Sequence, residues 1–123
     1  MANPNIVNVT SILGNVSNVS LTTTSATSLV SNAASSGNVL KIDNIVAANT
    51  SSSAATITIN VYSAAALGGT AFPIASAISV PPNSTLIVTD KSTAFYLMEN
   101  MSVGATAGTA STIVVTTSWE QIS

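Results

Sequence analysis

Apolar residues alternate with polar ones along most of the chain, so the dominant period is two and not the 3.6 of a helix. In ATITINVYS, residues 55–63, Ile57, Ile59 and Val61 fall on one side and Thr56, Thr58, Asn60 and Tyr62 on the other. That is the pattern of a half-buried strand, with β-branched residues on both faces. TLIVTD at 85–90 predicts a short strand entered through VPPNS, where Pro81 and Pro82 end the preceding strand because neither can donate a ladder hydrogen bond. STIVVTTSWEQI at 111–122 predicts a long C-terminal strand with Ile113, Val115, Thr117 and Trp119 on one face.

Further strands are expected at 28–32, 39–49, 72–80, 94–98 and 101–106. They are separated by ASSGN (34–38), TSSSA (50–54), ALGGT (66–70) and TAGTA (106–110). These segments supply Gly, Ser or Asn where the chain must turn. Many short strands at about 8–12-residue spacing predict an all-β antiparallel sandwich, Ig-like or jelly-roll-like. No segment carries a helical period.

Residues 1–24 read differently from the sandwich domain at 25–123. Ile6, Val7, Val9, Ile12, Leu13, Val16, Val19 and Leu21 are spaced among Asn, Ser and Thr. They are either the first strands of the domain or an extended N-terminal arm that adds to a partner's sheet.

Composition narrows the chemistry. The 123 residues suit one domain with its own core. There is no cysteine and no histidine, which removes disulfides, thiolate metal sites and the commonest general base and metal ligand. Two lysines and a net charge of −2 argue against nucleic-acid and anionic-membrane partners. No run reaches the roughly 18 apolar residues of a membrane helix, and MANPNIVNVT lacks the basic and apolar regions of a signal peptide. Sequons occur at Asn8, Asn15, Asn18, Asn49, Asn83 and Asn100, as chance produces in a chain so rich in Asn, Ser and Thr. Those three residue types make up well over a third of the sequence. A surface built from them is neutral and resists self-association poorly.

Candidate chemistry is sparse. The carboxylates are Asp43, Asp90, Glu99 and Glu120. A serine nucleophile would need Lys41 or Lys91 as its base, and neither lies in a Ser-x-x-Lys motif. LGGTAF lacks the lysine of a phosphate loop. The expectation is a non-enzymatic protein with no cofactor and no metal. Lys41 and Asp43 are expected on a solvated strand face with Val39, with Leu40, Ile42 and Asn44 opposite. Trp119 either caps the core or anchors an interface. DKSTAFYLMEN, 90–100, concentrates Asp90, Lys91 and Glu99 at two expected turns, where they could set the register of a partner.

VPPNSTLIVTDKSTAFYLMENMSV, followed by IVVTTSWEQIS, resembles the small virion structural proteins of tailed bacteriophages, those of cyanobacterial hosts included. The matching residues are Val80, Asn83–Thr85, Asp90–Lys91, Tyr96–Leu97, Glu99–Asn100 and Trp119–Ser123. NVLKIDNIVAANTSSSAATITINVY resembles the hairpin of the same family, so the likeness spans about residues 25–123. Members carry Glu where this chain has Gln121. The resemblance implies a β-sandwich carried on the virion and assembled in the bacterial cytoplasm. It would be a head decoration (cement) protein bound to the major capsid protein, or a tail-, neck- or fibre-associated component. Homo-oligomerisation is expected with either. A glycan-binding module using Tyr62, Tyr96 or Trp119 as platforms is a further alternative. The residues expected at a partner interface are Ile6, Val7, Val9, Ile12, Leu13, Asp90, Lys91, Glu99 and Trp119.

Overall fold

The computed structural model describes residues 4–123. Among the described residues nine strands form: β1 (Ile12–Ser20), β2 (Thr27–Asn32), β3 (Val39–Asn49), β4 (Ala55–Ala64), β5 (Gly68–Val80), β6 (Thr85–Thr89), β7 (Phe95–Leu97), β8 (Met101–Ala107) and β9 (Ile113–Ile122). Between β6 and β7 lies a single 3-10 turn, Lys91–Thr93. One sheet runs β1-β9-β3-β6, with β7 also paired to β3, and the other runs β2-β8-β4-β5. All the strand pairs are antiparallel.

The pairs nest. β4 pairs β5, β3 pairs β6 and β7, β2 pairs β8, and β1 pairs β9, as though one long antiparallel ribbon had been folded across two layers. This is the jelly-roll branch of the sandwich expectation. Period-two patterning explains the layers, because each strand has one face to bury and the two apolar faces can meet only each other. Ile42, Ile45, Ala47, Ile113 and Val115 from one sheet meet Ile57, Ile59, Val103 and Ala105 from the other, all buried.

β3 and β4 occupy almost the predicted spans, but other details differ. The ALGGT segment is not wholly a breaker: the turn ends at Leu67 and β5 starts at Gly68. The C-terminal strand begins at Ile113, because Ser111 takes a positive φ of 60° and belongs to the turn. On β3 a bulge between Ile42 and Asn44 shifts the register against β9. One extra residue reverses the facing of those that follow. Asn44 is therefore exposed and Ile45 takes the buried position.

Buried polar groups are mostly matched. Asn49 Nδ2 donates to the Ser53 carbonyl at 2.8 Å and the Val80 carbonyl at 3.0 Å, while its Oδ1 accepts from Ser51 N–H at 2.9 Å. The Asn49 sequon is thus inside the fold. Ser102 Oγ donates to the Ala64 carbonyl at 2.8 Å and accepts from Leu67 N–H at 2.9 Å, pinning the β4–β5 turn across the outside of its sheet. Gly104 makes room for that turn: a Cβ there would sit 2.7 Å from Leu67 Cδ2 and 3.1 Å from Tyr62 Cε2.

Candidate interaction surface

β1 is an edge strand. It pairs residue for residue with β9 from Ile12↔Ile122 to Ser20↔Val114 without a register shift. Residues 12–20 are therefore a strand of this domain, and Leu21, just beyond, is fully buried. Val19 packs on the core, whereas Ile12, Leu13 and Val16 are exposed.

Among the described residues, 4–11 form no strand, and Pro4 and Ile6 lie beside Val39, Tyr96 and Met98 of the same sheet. Thr10 and Ser11 N–H groups donate to the Ser123 carbonyl at 2.6 and 3.2 Å. Pro4 and Ile6 form one wall of a shallow groove of about 280 Å³ whose other wall is Val39, Tyr96 and Met98. Val39 was expected on a solvated face beside Lys41 and Asp43. It is only 3% exposed, and it lines the groove together with Pro4, Ile6, Tyr96 and Met98. Val7 is left 91% exposed and Val9 half-buried.

Lys41 pairs directly across from Glu120, with Nζ 3.8 Å from the carboxylate and 4.0 Å from that of Asp43. All three side chains are about one-third exposed or slightly more, so water screens the pairs.

The charges of the 90–100 segment serve its turns. Asp90 caps the 3-10 turn: its Oδ1 accepts from Ser92 N–H at 2.9 Å and Ser92 Oγ at 2.6 Å, and Thr93 Oγ1 accepts from Asp90 N–H at 3.0 Å. The Ser92 hydrogen bonds, followed by those of Thr93, hold the Asp90 carboxyl below the ordinary value of 3.8. Lys91 is exposed in the same turn. Glu99 lies in the β7–β8 turn, where its Oε1 accepts from Gly37 N–H at 3.1 Å and ties that turn to the β2–β3 loop. Beside it, Asn100 takes a φ of 58° and accepts from Ala65 N–H at 3.2 Å.

Trp119 lies opposite Ile42 and Asn15, half-buried, and packs against the core. Tyr62 is unavailable as a glycan platform, because it is buried over Gly104; Tyr96 remains half-exposed.

Sequence reasoning missed one surface. A groove of about 370 Å³ between β5 and β6 is lined by Ile74, Ala75, Ile78, Leu86, Ile87 and Val88 together with Ser76. Phe72, Ile74, Ile78 and Ile87 all remain well exposed on this flank. The strands were legible, but their placement as facing edges of different sheets depends on topology. Among the described residues no three His, Cys, Asp or Glu side chains gather, and neither groove contains a lysine or a carboxylate.

No protein-family model and no curated protein sequence matches the chain. Among solved structures, the fold is similar to a chain from Bacillus endospore appendages, described as a family of disulfide-linked pili. That match has a TM-score of 0.51 at 15% identity and covers 98% of this chain and 96% of the other. A chain of infectious bursal disease virus, Gx strain, matches with a TM-score of 0.34 at 11% identity over 89% of this chain and 37% of that one. What the first likeness shows is the fold: an all-β sandwich along nearly its whole length.

Proposed function

We propose that this protein is a non-enzymatic structural subunit of a large assembly and, within that class, a capsid decoration protein of a tailed bacteriophage. It would bind the outer lattice of the head through the major capsid protein and reside on the virion after assembly in the bacterial cytoplasm. The observation that carries this reading is the character of the surface. Large apolar side chains stand exposed on β1, β5, β6 and the segment before β1, and no charged residue lies on any of them. Such a surface suits repeated modest contacts, with stability gained from many copies. The resemblance of residues 25–123 to small phage virion proteins supplies the particle.

The direct test uses particles that lack the protein. Added purified chain should bind their heads saturably and raise the temperature at which they rupture. Heads that bind none of it, while tails do, would remove the decoration reading.

A linear assembly is the second reading, as a tail, neck or fibre component. It is favoured by the fold shared across nearly all of both chains with the subunit of a disulfide-linked pilus. This chain has no cysteine, so a filament of it would be held by noncovalent contacts alone.

A further inference from the structure

The sandwich has several outer edges, and all but one are obstructed. β5 carries Pro73, three register shifts against β4, and Ala77 at a φ of 47°. β2 is broken by a shift between Ser28 and Val30. β6 spans only Thr85–Thr89 and runs into the 3-10 turn, and β7, also an outer strand beside β3, spans only Phe95–Leu97. β1 has no proline, no bulge and no charged side chain along its nine residues. Natural sheets usually blunt an exposed edge with one of those devices, and an unblunted edge is a template for strand addition.

Hydrogen-bond phase shows which groups the edge offers. At one end Ser11 and Ser123 exchange N–H to carbonyl bonds at 3.2 and 3.0 Å; at the other, Leu21 N–H donates to the Ile113 carbonyl at 2.9 Å. The register between them is unbroken. Odd-numbered residues therefore bond β9, and Ile12, Gly14, Val16, Asn18 and Ser20 turn both backbone groups to the free side. The chain before β1 does not cover these groups, since Pro4 and Ile6 lie toward Val39, Tyr96 and Met98, across β9 and β3.

The strand is also self-complementary. Val16 is the midpoint of Ile12–Ser20. A two-fold axis there sets two copies antiparallel with Val16 opposite Val16 and Gly14 opposite the second copy's Asn18, each pair placed to exchange hydrogen bonds. On the inner side Leu13 meets the second copy's Val19, and Asn15 meets its Ser17. In these inner pairs apolar faces apolar and polar faces polar; on the outer side Ile12 meets the second copy's Ser20, and no like charges oppose anywhere along the strand, as an isologous contact requires.

From this we infer that β1 is a homotypic interface: a second copy of this chain adds its own β1 antiparallel about Val16, making one continuous sheet through both molecules. The inference rests on the reading of the protein as an assembly subunit and names one of its contacts. It predicts a pairing about 30 Å long, from the rise per residue of an extended strand.

Sedimentation of the purified full chain tests it. The wild type should sediment at twice the monomer mass. Val16→Lys and Val16→Glu place like charges opposite each other at a side chain that is 62% exposed in the monomer, so each variant should fold and sediment as a monomer. An equimolar mixture of the two should return to the dimer mass. A monomeric wild type overturns the inference on its own. So does a Val16→Lys protein that remains dimeric, because the contact must then lie elsewhere. Neither result bears on whether the chain binds phage heads, so the two readings fail separately.

Discussion

Thr117 was readable as an inward residue on the face of Ile113 and Val115, and it is fully buried there. Its hydroxyl, like that of the buried Thr89, has no hydrogen-bond partner. A buried hydroxyl without a partner costs about 1–3 kcal/mol, whereas an isosteric methyl in its place costs little. Thr117→Val is expected to stabilise the fold by about 1 kcal/mol, read as a higher urea midpoint at unchanged slope. A lower midpoint would mean that the hydroxyl has a partner. Asp90 makes a second prediction at this scale. Its folded carboxyl titrates below 3.8 because Ser92 and Thr93 bond the ionised form. A depressed carboxyl contributes stability that is present above its unfolded value and lost as pH falls through the folded one. Asp90→Asn should therefore flatten the fall of thermal stability on acidification below about pH 4 and leave the curve above it parallel to wild type. Identical slopes in acid would remove the capping role.

At the scale of elements, the alternating pattern located most strands but could not place β1. Its exposed Ile12 and Val16 give a strand whose apolar residues do not all point inward, which in a sequence looks the same as an arm awaiting a partner. The structure gives residues 12–20 a full-length partner in β9 and leaves residues 4–11 outside any strand. Two truncations should separate these parts. Removing residues 1–9 uncovers Val39 and its surroundings but leaves the sheet whole, so it should cost about 1–2 kcal/mol, as expected for exposing one or two apolar side chains. Removing residues 1–20 deletes a whole strand together with Val19 and should abolish cooperative unfolding or lower the midpoint far more. Equal effects, measured by chemical denaturation, would show that β1 adds nothing to the domain. The bulge at Ile42–Asn44 was hidden for a different reason. In VLKIDNIV the apolar phase slips from Leu40 and Ile42 to Ile45 across the polar pair Asp43–Asn44, but a strict period of two puts Asn44 on the face of Leu40 and Ile42, and the extra residue is fixed only when β9 is set beside it.

For the whole molecule, the sandwich was legible because two apolar faces must be buried together, and its jelly-roll branch was not, because strand order depends on which pairings close in space. The candidate surface divides in the same way. The spacing of Ile6, Val7, Ile12 and Leu13 left two readings open, core strand or arm, and the structure shows all four exposed. The β5–β6 flank could not, because Ile74, Ile78 and Ile87 also read as ordinary strand residues until their sheets end side by side. Asp90 and Glu99 have clear local duties in their turns, which accounts for charge there. What remains is a nearly neutral body with apolar, uncharged edges, and its reading as a head decoration subunit makes a demand on stoichiometry. Copy counting by quantitative mass spectrometry on purified virions tests that demand most directly. The account predicts a number comparable to that of the major capsid protein; a few copies per particle, or none, would contradict it.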